Sequence, residues 1–155
     1  MKKNAGFTLI EIMVVIAIIG ILSAISMPNL ISWMRDRHFT SSVQEAISAL
    51  NSAKTHALKE NMNTVVRFDT TGREITVFLD PGNNGPSTGE GTRRLRYYEM
   101  PAGVAIEKVT FDDARIAFDG RGMPLGGQSG HVEIKSDRGL SSTISVSMTG
   151  RIRFE

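Results

Sequence analysis

Between Phe7 and Trp33 the chain carries a single charged side chain, Glu11, in a stretch built mainly from Ile, Val, Leu, Met and Ala. As an α-helix this stretch would reach about 40 Å, against a hydrocarbon layer of roughly 30 Å, so it is long enough to cross a membrane. Lys2 and Lys3 precede it and Arg35, Asp36 and Arg37 follow, a bias that slightly favours a cytoplasmic N-terminus. Trp33 stands where an interfacial aromatic belongs. The remaining sequence is polar and glycine-rich, with room for one modest domain. The formal charge of +2 comes from 18 basic and 16 acidic groups. Loss of a leader containing Lys2 and Lys3 would balance the two, so total charge does not define a partner. With no cysteine, the chain has neither disulfides nor thiolate-bound structural zinc.

Three readings fit the apolar stretch. One is a cleaved secretory signal, with the small residues of Ala24-Ile25-Ser26 as the cleavage site and Met27 as the new start. Another is an uncleaved signal anchor. The third is a leader removed ahead of the apolar stretch, and Glu11 distinguishes it. An uncompensated carboxylate in a membrane helix costs about 2.5 to 3.5 kcal/mol, so something should neutralise it. Ala5-Gly6 followed by Phe7-Thr8-Leu9-Ile10-Glu11 and a long apolar run resembles the prepilin signature of type IV pilins and type II secretion pseudopilins. The resemblance implies that a prepilin peptidase cuts between Gly6 and Phe7 and methylates the Phe7 amine, with the apolar stretch retained. It further implies that Glu11 pairs with the processed amine of a neighbouring subunit during assembly. That amine, with an ordinary pKa near 8, stays cationic after N-methylation. Gly6, without a side chain, also lets a protease approach the backbone closely.

Helical periodicity continues beyond the apolar stretch. Val43, Ala46 or Ile47, Leu50, Ala53 and Ala57 recur every three or four residues, while Ser, Asn, Gln, Glu and Lys occupy the other faces. This predicts a helix half buried against its own domain. The small residues Ala46, Ala49, Ala53 and Ala57 are expected in the core. Pro28 lies inside the pattern and removes a backbone donor, which predicts a kink or a short melted stretch near Ser26 to Asn29.

After Asn61 the pattern becomes short alternating runs between glycine-rich turns, which read as strands. Thr64 to Asp69 and Glu74 to Leu79 flank the turn Thr70-Thr71-Gly72-Arg73 and form a hairpin. Further strands are expected at Arg94 to Met100, Val104 to Val109, Ala114 to Phe118, Val132 to Lys135, Thr143 to Ser147 and Arg151 to Phe154. The connections are too short for the crossover helices of a parallel sheet, so the fold class is α+β with antiparallel strands packed on the stem. The boundaries are a leader at 1–6, a transmembrane half-stem at 7–34, a periplasmic half-stem at 35–60 and a β domain at 61–155. The segments Val77 to Gly85, Leu95-Arg96, Phe118-Asp119-Gly120-Arg121-Gly122, and Ile144 to Ser147 leading to Gly150-Arg151-Ile152-Arg153, taken in order, resemble the GspH/FimT group of minor pilins and pseudopilins. That resemblance implies two antiparallel sheets beside the stem. It also implies a single-pass protein of the bacterial inner membrane whose C-terminal domain is periplasmic and which joins other pilins or pseudopilins in a filament.

Other constellations are weaker. Asp80, Asn83, Asn84 and Glu90 offer oxygen ligands in a glycine-rich loop, but without EF-hand spacing; turn chemistry explains the same composition. Gly127-Gln128-Ser129-Gly130-His131 lacks the last glycine of a nucleophile elbow. His38 and His56 lie on the stem without a ligating partner, and no phosphate-binding loop is present. The sequence thus predicts no catalysis, metal or cofactor. Arginines concentrate at Arg93, Arg94 and Arg96, and at Arg151 and Arg153. The last two are expected on one face of a strand, where two guanidinium groups could meet one anion. The G-R-x-R ending resembles the motif implicated in DNA capture by minor pilins of transformation systems. A solvated strand or a subunit contact is the preferred account, since secretion-type relatives have similar endings, and DNA is not the favoured partner.

Overall fold

A computed structural model describes residues 7–80 and 93–155 of the chain. They form two compact units, Met1–Arg37 and His38–Glu155, joined by the helix α1 (Leu9–Glu60). In the first unit the helix starts at a cap: Thr8 Oγ1 accepts the Glu11 N–H at 3.3 Å, satisfying one of the donors that a helix start leaves free. The apolar side chains from Phe7 to Met34 are almost all exposed. None of the most apolar window, of mean hydropathy 2.6, is covered by the chain. The Arg37 guanidinium lies 5.1 Å from the centre of the Trp33 ring, pairing a cation with the expected interfacial aromatic. The melted stretch expected at Ser26 to Asn29 is not found. Pro28 stands inside α1, which is helical on both sides of it, so of the two expectations only the kink is compatible with it.

The second unit is built from the remainder of α1 and eight strands in two antiparallel sheets. The first sheet has the order β3 (Arg94–Glu99), β2 (Glu74–Asp80), β1 (Asn63–Asp69), β5 (Arg115–Phe118). The second has the order β4 (Val104–Val109), β6 (Gly130–Ser136), β7 (Ser141–Val146), β8 (Ile152–Phe154). The β1–β2 hairpin keeps unbroken register from Asn63↔Asp80 to Asp69↔Glu74. Its turn is closed by Asp69, whose Oδ1 accepts the N–H groups of Thr71 at 2.9 Å and Gly72 at 2.8 Å. Alternation then sorts the side chains. Val66, Phe68, Ile75 and Val77 share one core with Ile116 and Phe118, with Val132, Ile134, Ile144 and Val146 of the second sheet, and with Val43, Ala46, Ala49, Leu50, Ala53 and Ala57 of α1. The four alanines are fully buried. Their small side chains fill the expected core face and bring the helix backbone close to both sheets. On the outer face of the first sheet Val65, Phe78 and Ala117 form a smaller cluster with Leu125.

Most strand limits differ from expectation by one or two residues, and only β4 agrees at both ends; two of the shifts have a local cause. β5 begins at Arg115 because Asp112–Ala114 form a 3-10 turn, with Asp113 and Ala114 at positive φ. β8 begins at Ile152, so Arg151 belongs to the preceding turn.

Candidate functional site

Two regions carry the residues singled out by sequence. At the N-terminal end, Gly6 lies outside the described residues, whereas Phe7 is exposed and Glu11 stands in the first turn of α1. Thr8 and Glu11 have the T-x-x-E spacing of a capping box. Glu11 therefore has a local role as well, since an acid in the first turn complements the positive end of the helix dipole. The spacing was legible in the sequence but is easily overlooked beside the prepilin signature.

The second region is the turn between β7 and β8. Ser147 O accepts the Gly150 N–H at 2.8 Å, and the Ser147 N–H donates to Arg151 O at 3.0 Å. The Arg151 N–H in turn donates to Ser147 Oγ at 3.2 Å, and the Ser147 and Thr149 hydroxyls lie 2.9 Å apart. Gly150 has φ 72°. A Cβ there would stand 2.7 Å from the Gly122 carbonyl oxygen and 3.3 Å from Pro124. From α1, Lys54 Nζ donates to Gly150 O at 3.0 Å. The glycine of the G-R-x-R ending is thus required by packing: it lets the turn touch both the helix and the loop that holds Gly122.

That loop is itself organised by Asp119. Its Oδ1 accepts the N–H groups of Arg121 at 2.9 Å and Met123 at 3.0 Å, and its Oδ2 accepts Arg121 Nε at 3.0 Å and Nη2 at 2.8 Å. Burial raises the pKa of this carboxyl, but the Arg121 guanidinium and the two N–H groups outweigh it, and the net shift is downward.

Arg151 and Arg153 are both exposed and line one surface hollow of about 380 Å³ with Ser145, Ser147 and Thr149. The expectation of a shared strand face is corrected in detail, since only Arg153 is in β8, opposite Ser145. The turn still brings the two together. Arg93, Arg94 and Arg96 belong to the other sheet or its approach, and they do not form one patch. A register shift between Val77 and Phe78 sets Arg96 opposite Val77 and Arg94 opposite Phe78. Opposed residues share a face and successive ones alternate, so Arg94 and Arg96 fall on opposite faces. Arg94 lies 5.5 Å from the Tyr97 ring centre, while Arg96 Nη1 donates to the Tyr98 hydroxyl at 3.1 Å. Arg93 O accepts the Leu79 N–H at 3.0 Å.

Of the oxygen-rich loop, Asp80 ends β2 and is buried; Asn83, Asn84 and Glu90 lie outside the described residues. Gly127-Gln128-Ser129-Gly130-His131 is a turn leading into β6, with the His131 N–H donating to Thr110 Oγ1 at 2.7 Å.

Comparison with known proteins places this geometry. Residues 1–27 match the prokaryotic N-terminal methylation motif, and residues 42–150 match the family of type II transport protein GspH. Among curated relatives, a fimbrial protein of Pseudomonas aeruginosa is 45% identical over 65 residues, covering 42% of each chain. Prepilin peptidase-dependent protein D of Escherichia coli is 34% identical over 104 residues, covering 67% of this chain and 62% of its own. The matches thus span less than two thirds of these relatives. Among solved structures, the type IV minor pilin FimU of Pseudomonas aeruginosa superposes with TM-score 0.59 at 15% identity, covering 79% of this chain and 92% of its own. The minor pseudopilin EpsH of the Vibrio cholerae type 2 secretion system gives 0.56 at 13% identity, covering 76% and 96%. At these identities the two structures speak for the fold alone, one long helix beside two antiparallel sheets of four strands. The family match covers most of the chain and agrees with that fold, and the chain therefore belongs to the GspH family of type II transport proteins, structural subunits of the pilin and pseudopilin kind.

Proposed function

We propose that the chain is a minor pseudopilin of a type II secretion system, which helps prime or cap a short inner-membrane filament that drives export of folded proteins from the periplasm. The observation that carries this reading is Glu11: one acid in the first turn of a helix whose exposed side chains from there to Met34 are mostly apolar and otherwise uncharged, on a chain with a GspH domain. Such a carboxylate calls for a cation, and the Phe7 amine of the next subunit, released by cutting after Gly6, supplies one. The charge pair then sets register as apolar stems bundle. Mass spectrometry of the membrane-bound protein should find N-methylated Phe7, and Glu11→Gln should abolish incorporation into filaments at unchanged expression. A chain starting at Met27, or normal incorporation of the variant, would overturn the proposal.

The arginine hollow favours a second reading, a FimT-type minor pilin that captures DNA. Two exposed guanidinium groups beside three hydroxyls suit a phosphate backbone. Under the secretion reading, residues 38–155 bind double-stranded DNA only weakly and lose it as salt rises. Strong binding abolished by Arg151→Ala with Arg153→Ala would transfer the assignment to DNA uptake.

A further inference from the structure

β8 is the outermost strand of the second sheet, and its bonding pattern leaves one side open. Thr143 and Glu155 each donate an N–H to the other's carbonyl at 2.9 Å, and the Ser147 N–H donates to Arg151 O at 3.0 Å. Bonded and non-bonded pairs alternate along an antiparallel ladder. Arg153 therefore bonds towards Ser145, while Ile152 and Phe154, opposite Val146 and Ile144, turn their N–H and carbonyl groups away from β7. Among the described residues no hydrogen bond reaches those four groups. The open edge also runs between two hollows of opposite character. Ile152 and Phe154 share the core face with Val146 and Ile144, and there Phe154 borders a hollow of about 350 Å³ lined by Phe39, Val43 and Ile47 of α1 among three polar side chains. Phe154 is still 66% exposed, so the fold itself does not close that hollow. On the other face Arg153, opposite Ser145, joins Arg151 in the cationic hollow described above.

We propose that β8 receives an extended segment of a different protein, one in which apolar and acidic side chains alternate, as the next strand of the second sheet. The incoming backbone takes the four open groups of Ile152 and Phe154. Because side chains alternate between the faces of a strand, its apolar residues cover Phe154 and the hollow beside α1, and its carboxylates meet Arg153 and Arg151. Charge argues against a second copy of this chain as the occupant. In the antiparallel register that uses all four groups Ile152 faces Phe154, which sets Arg153 directly against Arg153. A nucleic acid uses only the cationic hollow, having neither a strand backbone for the edge nor side chains for the apolar one. The inference goes beyond the role proposed above and needs only the second unit, so its tests leave the Glu11 account untouched.

The probe is a short peptide alternating valine and glutamate, titrated into the full-length chain in detergent micelles. Binding should slow amide exchange several-fold at Ile152 and Phe154, and by less at Arg153, whose N–H is already bonded within the sheet. A peptide alternating valine and lysine should bind several-fold more weakly, and Arg151→Glu with Arg153→Glu should reverse that order. Phe154→Ser should weaken the valine–glutamate peptide several-fold. Phe154 and both arginines are exposed, so these changes leave the core in place. No binding of the first peptide, binding without added protection at Ile152 and Phe154, or an order of preference that survives the charge reversal would overturn the proposal. Binding that needs the arginines but is indifferent to Phe154→Ser, and that duplex DNA displaces, would overturn it in favour of a nucleic acid on the cationic hollow.

Discussion

Gly150 shows how one residue can serve a motif without touching its ligand. It holds a left-handed backbone against the Gly122 carbonyl and receives Lys54 on its own oxygen. Gly150→Ala should lower the stability of residues 38–155 by at least about 1 to 2 kcal/mol from the backbone conformation alone, with the clash adding to it. Gly139→Ala, at φ 83° but with nothing near its Cβ position, should cost only the backbone part. A common urea midpoint for the two variants would contradict this account. Acid sensitivity is also settled at single residues. Gly72's N–H lowers the Asp69 carboxyl despite some burial, and Thr71 and Arg67 reinforce it; with Asp119, both carboxyls lie below the ordinary 3.8. A depressed folded pKa gives stability that is fully present above the unfolded value and is lost as pH falls through the folded one. The urea midpoint should therefore hold above about pH 5 and fall below about pH 4, and Asp119→Asn should flatten that fall while lowering the plateau.

Among the elements, α1 within the second unit depends on small side chains. Ala53 is fully buried in the shared core, so Ala53→Leu should overpack it and cost about 1 to 3 kcal/mol. Leu50→Ala at a neighbouring buried position should cost about 2 to 5 kcal/mol through the cavity left behind. Denaturant titration of both variants checks the pair, and a stabilised Ala53→Leu would mean that the helix does not pack closely. Most of this was legible in the sequence, because a period of three to four and a period of two are local signals: the alanine face, all eight strands and the first hairpin follow from them. The signals that failed were not local. The register shift that parts Arg94 from Arg96 is set by pairing with β2, and alternation along β3 alone cannot show it. The Lys54 bond to Gly150 joins positions 96 apart, and nothing near either residue announces the other. At Pro28 the missing donor was legible, but whether the helix bends or melts there is not decided by that residue alone.

On the scale of the whole molecule, the two units face different surroundings. Residues 38–155 bury a complete core of their own, whereas the unit before them exposes nearly every apolar side chain it has. A chain lacking residues 1–37 should be soluble without detergent and unfold in one transition with coincident fluorescence and circular dichroism. Aggregation of that chain would show that the domain needs its stem to fold. The Lys54 clamp has a mechanical meaning beyond stability. Besides the core that α1 shares with β7, one ammonium group ties this half of the helix to the β7–β8 turn, so a displacement of the shaft should reach the final hairpin by two routes.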